Sequence, residues 1–190
     1  MKPFAPLLAL GLALAAAPTR APAAETVAVP AFRSVQLRGG GTVIVRPGPA
    51  QRVVIVAGSS AFTRMRVVRG GQLEIDACNA RCPQRYHLEI AIESPTMPDS
   101  AVAGGGRIVA GEGFAPQAQI SAAVMGGGEV DTRAVGARVA NAAVHGGGTI
   151  LVRAAAHLNA AVQGGGRVRY WGDPQVTSAV SGGGSVERGR

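Results

Sequence analysis

Lysine occurs once, at Lys2, and aromatic side chains make up only 4% of the 190 residues. Beyond Lys2 no GxxxxGK[ST] phosphate loop can be written, however rich in glycine the chain is. So few aromatics make a thick globular core hard to fill. A thin core extended in one direction suits small side chains better. Cysteine is nearly absent too, with Cys78 and Cys82 alone, in the stretch CNARC. A metal site would need further ligands at close spacing, and only His87 is near; a redox pair would normally read C-x-x-C. An even count in an exported chain instead favours a local disulfide, with modest stabilisation because the loop it closes is short.

Long apolar runs are missing as well. Leu7 to Ala17 is unbroken but spans only 11 residues, too short for a bilayer. With Lys2 before it and Ala21-Pro22-Ala23 after it, the run reads as a signal peptide with an A-x-A cleavage site. Residues 1–24 are therefore expected to be a signal peptide and residues 25–190 a single domain. No cysteine near the cleavage point offers a lipid anchor, and no later segment approaches about 20 apolar residues. The expected location is periplasmic or extracellular.

Acidic residues are few. Without Lys2 and Arg20, 17 basic residues stand against 11 acidic ones, a balance of +6. Nine Arg face four acids in 32–98, and eight face six in 99–190. Such a balance attracts acidic polysaccharide, lipid headgroups or nucleic acid. Export argues against nucleic acid, and a composition of Ala, Gly and Arg with one Lys also fits high-GC codon usage. Acidic glycan, a lipid surface or an envelope protein are the candidate partners, and self-association stays open. No cofactor and no metal are expected.

What the chain has instead is glycine, 28 residues of it. AVAGGGRIV, AVMGGGEVD, AVHGGGTIL, AVQGGGRVR and AVSGGGSVE place triplets at Gly104-Gly105-Gly106, Gly126-Gly127-Gly128, Gly146-Gly147-Gly148, Gly164-Gly165-Gly166 and Gly182-Gly183-Gly184. Their spacings are 22, 20, 18 and 18 residues, a solenoid-like repeat. Val102, Val124, Val144, Val162 and Val180 precede the triplets by two. Ile108, Val130, Ile150, Val168 and Val186 follow them after one variable position. Period two on both sides of a corner puts the β-branched residues inward and the variable ones outward. Each copy reads as strand, corner, strand, and copies must stack to bury their apolar side. Stacked corners leave little room for a Cβ and demand glycine. Small polar residues five positions before each triplet (Asp99, Ser121, Asn141, Asn159, Thr177) suggest a hydrogen-bonded ladder. Its expected role is structural, with sugar contact as the alternative.

A sixth triplet, Gly39-Gly40-Gly41, opens the region 32–98 in FRSVQLRGGGTVIV. RVVIVAG, MRVVRGGQLEID and YHLEIAIE follow as strands. Residues 32–98 are expected to form the first coil plus β-hairpins that cap the stack, and 99–190 the stacked repeats.

With these elements the chain resembles the GIN-domain family of auto-transporter adhesin head domains. The resemblance covers about 32–190. It rests on FRSVQLRGGGTVIV, the RGGQLEI turn, the recurring corners and the ending VRYWGDPQVTSAVSGGGSV. In that ending Tyr170, Gly172 and Pro174 match a Y-x-G-x-P pattern. The family often alternates Ser and Gly at its corners; here only Ser181 keeps the leading Ser. The resemblance implies an all-β, right-handed parallel β-helix-like solenoid in an envelope or secreted protein, with no catalytic residues.

The expected function is therefore non-enzymatic: an adhesin-head-like binding or scaffolding role. The alternative is a carbohydrate-active β-helix enzyme acting on envelope polysaccharide, which would need paired carboxylates or a base with charge neutralisation. Glu129 and Asp131 lie two apart on one outward face, but Arg107, Thr149, Arg167, Val109 and Leu151 surround them in the stack. Trp171 beside Tyr170 is a candidate sugar platform, though Tyr170 falls in an inward column and Trp171 is expected to cover the bottom of the stack. Arg64 and Arg66, on one strand face, are the candidate anion contact. His145 and His157 read as surface residues.

Overall fold

Period-two alternation with β-branched residues dictates strands, and the computed structural model is all-β. It describes residues 24–79 and 81–190; all but the last residue of the expected signal peptide, and the A-x-A site, lie outside them. The first strands are β1 (Glu25–Val27), β2 (Ser34–Gly39), β3 (Thr42–Pro47), β4 (Arg52–Ala57) and β5 (Arg64–Val68). Then come β6 (Gln72–Asp76), β7 (Glu89–Ser94), β8 (Asp99–Gly104), β9 (Arg107–Ala110) and β10 (Gln117–Gly126). The chain continues through β11 (Glu129–Gly146), β12 (Thr149–Gln163), β13 (Arg167–Trp171), β14 (Gln175–Ser181) and β15 (Ser185–Arg188). All fifteen join one strongly curled sheet.

The sheet folds into two walls that meet at the glycine corners. The first wall runs β6, β2, β8, β10, the end of β11, the end of β12, then β14, all parallel. The second runs β7, β3, β9, the start of β11, the start of β12, β13, then β15, also parallel. Registers are those the repeat demands: Val124 pairs with Val102 and Val144, Val130 with Ile108 and Ile150. These six side chains are fully buried, and one continuous cluster runs through both walls. Burying each such side chain contributes about 1.5–3 kcal/mol. The unequal repeat lengths are taken up opposite the corners. Residues 111–116 loop out between β9 and β10, and β11 breaks register between Asp131 and Gly136.

The corners divide their three glycines between different duties. At Gly146 φ is +113°, and a Cβ there would sit 2.8 Å from the Gly126 carbonyl oxygen. At Gly148 a Cβ would meet the Val124 side chain and, at 2.6 Å, the Gly128 carbonyl oxygen. At Gly147 it would meet nothing within 4 Å. The same holds for Gly40, Gly105, Gly127, Gly165 and Gly183. Close packing thus falls on the outer glycines of a triplet, whereas an added Cβ on the middle one points away from the stack. The middle N–H is used at Gly105, Gly127 and Gly147, which donate to the carbonyls of Gly39, Gly104 and Gly126 at 3.1, 3.1 and 3.0 Å.

Residues 32–98 hold more than one coil and its cap. β2 and β3 form a rung in register with β8 and β9, with Gly39 opposite Gly104. β6 and β7 form another rung beyond it, parallel to β2 and β3. The chain therefore lays β8 and β9 on the opposite side of β2 and β3 from β6 and β7. In the β6–β7 rung the connection between the strands, which carries the Cys78–Cys82 disulfide in its first half, replaces a glycine corner. Antiparallel strands then cover this end: β5 on β6, and β4 with β1 on β7.

Candidate functional site

Along the first wall an open trough of about 500 Å³ crosses the rungs. Alternation places Ala101, Ala123, Ala143, Ala161 and Ala179 on its outer face, beside Asp99, Ser121, Asn141, Asn159 and Thr177. The intervening Ser100, Ala122, Ala142 and Ala160 are buried. Side chains are thus small on both sides of the wall at this level, and nothing projects to fill the trough. The neighbouring outward column carries longer chains at Met125, His145 and Gln163, all exposed.

The polar column is partly self-satisfied. The Asn159 amide donates to Asn141 Oδ1 at 3.0 Å, and Asp99 Oδ1 accepts from the Ser121 backbone N–H at 2.8 Å. Ser34, five positions before the sixth triplet, and Gln72 extend the column, Ser34 opposite Asp99 and Gln72 opposite Ser34. No glycine triplet aligns Gln72, so only the strand register finds it. The alanine column was visible in the sequence as a repeat; Ala101, Ala123, Ala143 and Ala161 are half-buried and Ala179 is exposed.

A second recess, of about 360 Å³, lies on the other wall among Glu112, Asp131, Arg133, Arg153 and Trp171. Trp171 sits on the flank rather than at the bottom of the stack. It stands opposite Arg153, with the Arg133 guanidinium 4.9 Å from its ring centroid. Its indole N–H donates to the Arg190 carbonyl at 3.2 Å. Tyr170 lies below Val152 and packs against the core, as its column implied. Asp131 is buried and bound twice by Arg133, at 3.0 and 2.7 Å. That hydrogen bond, with the carboxylate charge behind it, raises the Arg133 pKa further. Glu129 lies 2.8 Å from Arg107. The two carboxylates expected on one outward face are therefore held by separate arginines and do not form a pair.

Arg64 and Arg66 do share the exposed face of β5. The β6 partners opposite them are Asp76 and Glu74, and Glu74 binds Arg66 at 2.8 Å. This bond raises the Arg66 pKa and leaves less charge for an external anion. Six more arginines, Arg38, Arg107, Arg133, Arg167, Arg169 and Arg188, each have a carboxylate within 4 Å, two of them sharing Glu187; pairing localises these charges but leaves the net balance of +6 unchanged. His145 is exposed on the first wall, and His157 lies opposite Val139 and Gln175. Among the described residues no three His, Cys, Asp or Glu side chains gather where a metal could be held. Among the described residues no helix is long and apolar enough to cross a membrane.

No curated protein matches the chain. Among solved structures it is similar to a "putative lipid binding protein" from Parabacteroides distasonis ATCC 8503, at 16% identity and TM-score 0.42, over 88% of this chain and 96% of that one. A "putative adhesin" from Bacteroides fragilis NCTC 9343 is similar at 15% identity and TM-score 0.48, over 87% and 96%. A "putative cell adhesion protein" from Clostridium sporogenes ATCC 15579 is similar at 10% identity and TM-score 0.39, over 88% and 99%. Residues 99–174, the stack from β8 to the turn after β13, match the family described as "Putative auto-transporter adhesin, head GIN domain", the family that the glycine corners and the Y-x-G-x-P turn resemble.

Proposed function

We propose that the chain is a non-enzymatic, exported module of the cell envelope or surface, with a binding or scaffolding role like that of an adhesin head, and that the first-wall trough is its binding face. The two parallel walls joined at glycine corners read as a right-handed parallel β-helix-like stack, whose rungs repeat about every 4.8 Å. Each rung offers one small polar group beside one alanine methyl, at Ser121, Asn141, Asn159 and Thr177. That alternation suits an extended chain with polar groups along one edge and C–H groups on its face, as a glycan strand has. The carrying observation is the trough itself, which no arginine lines and where Asp99 is the lone carboxylate. Short, exposed contacts of this kind give weak affinity per rung, summed along the stack.

Envelope glycans immobilised on a surface test the reading. Ala143→Phe and Ala161→Phe should fill the trough without touching the core, abolishing binding while leaving the melting temperature near that of the parent. Arg64→Gln with Arg66→Gln should leave binding intact. Binding that survives both Phe variants would refute the trough as the site. Catalysis on polysaccharide is the weaker reading, because Glu129 and Asp131 are each tied to an arginine; glycan cleavage lost in Glu129→Gln would reverse the order.

A further inference from the structure

The two ends of the stack are finished differently. At the β6–β7 end the outermost strands are a three-residue β1 and a β5 carrying Arg64 and Arg66. Short or charged edges of this kind resist pairing with another chain. At the other end β15 carries Glu187 and Arg188, with Glu187 bound to Arg169 at 2.8 Å and Arg188 3.4 Å from Asp173. Beside it β14, QVTSAVS, has no charge, no proline and no glycine, and every residue is exposed. Among the described residues it pairs on one side only, with β12. Its inward positions continue the core columns into solvent. Val176 and Val180 are 36% and 45% exposed, whereas Leu158 and Val162 directly above them are 0%.

We infer that β14 is the docking edge for a second copy of this chain, the two β14 strands pairing antiparallel about a two-fold axis through Ser178. The sequence is self-complementary in that register. Val176 meets the other copy's Val180, Thr177 meets Ala179, Gln175 meets Ser181, and Ser178 meets itself. A two-fold axis normal to the wall keeps inward residues inward in both copies, so the valines close one continuous apolar column. No like charges oppose each other, because the strand has none. The inference is independent of what the trough binds.

Cysteine placement reads the register. Opposed residues in an antiparallel pair have Cα atoms about 4.5–5.5 Å apart, within disulfide range. Ser178→Cys should therefore cross-link two chains on mild oxidation. Ala179→Cys should not, since its own copy is displaced by two residues and lies beyond about 7 Å. Cys78 and Cys82 are already bonded to each other and do not compete. Sedimentation should find the unmodified chain dimerising with concentration and Val180→Lys monomeric. A parent chain monomeric at every concentration, Val180→Lys dimerising like the parent, or Ala179→Cys cross-linking as fast as Ser178→Cys would overturn the inference.

Discussion

Gly146 and Gly147 are neighbours with opposite environments. A valine at Gly146 would need a left-handed backbone that β-branched residues avoid, and its Cβ would press on the Gly126 carbonyl, 2.8 Å away in an unshifted backbone. Neighbouring rungs hold that carbonyl in place, so the corner cannot yield locally. A valine at Gly147 points into open space. We expect Gly146→Val to destabilise by well over the roughly ±0.5 kcal/mol of an ordinary surface change, and Gly147→Val to stay near that range. Urea melts of the two variants decide it, and equal losses would mean the corners do not stack as described. Three identical letters concealed this division. Sequence spacing locates the corner, but only the backbone path shows which of its Cα hydrogens faces the rung above.

Rungs bearing the repeat were legible because each is tied to a triplet, whereas β6 and β7 were legible as strands but not as a rung. That rung has apolar columns like the others, Leu73 and Ile75 on one wall and Ile90 and Ile92 on the other, all fully buried. What hides it is the loop 77–88, which takes the place of a corner and reads as a connector between hairpins. Its fixation comes from Tyr86 rather than from glycine. The Tyr86 hydroxyl accepts from the Ser59 backbone N–H at 2.9 Å and lies 2.7 Å from Thr63 Oγ1, which is buried. The ring packs edge-on to Phe62, with centroids 5.6 Å apart. Tyr86→Phe keeps the ring contact and deletes the hydroxyl, leaving Thr63 and the Ser59 N–H without that partner. Such a loss costs about 1–3 kcal/mol. Thermal denaturation should show it, accompanied by faster amide exchange at Asn79, whose N–H donates to the Phe62 carbonyl at 2.9 Å. An unchanged melt would mean that the disulfide alone holds the loop.

On the β-helix-like reading proposed above, the described residues form a one-dimensional stack, in which stability is nearly a sum over rungs and the interfaces between adjacent rungs. The hydrophobic columns announce that stacking in the sequence. They do not announce that the chain places its third rung on the far side of its first, because identical columns on both sides make either order equally good locally. Only the antiparallel cover of β4, β1 and β5 on one end distinguishes them. One-dimensional coupling makes the position of a defect matter more than its chemistry. Gly146 and Gly182 present the same fault to an added Cβ, 2.8 Å from the Gly126 carbonyl oxygen and 2.7 Å from that of Gly164, at φ of +113° and +109°. Gly146 lies between rungs on both sides, so a fault there weakens two interfaces and separates the capped end from the rest. Gly182 joins β14 to β15 in the terminal rung, which can fray without uncoupling anything beyond it. In dilute solution, Gly146→Ala should lower the global melting temperature. Gly182→Ala should leave it nearly unchanged while accelerating amide exchange selectively in β14 and β15. Equal drops in melting temperature would show instead that the stack unfolds as one indivisible unit down to its last strand.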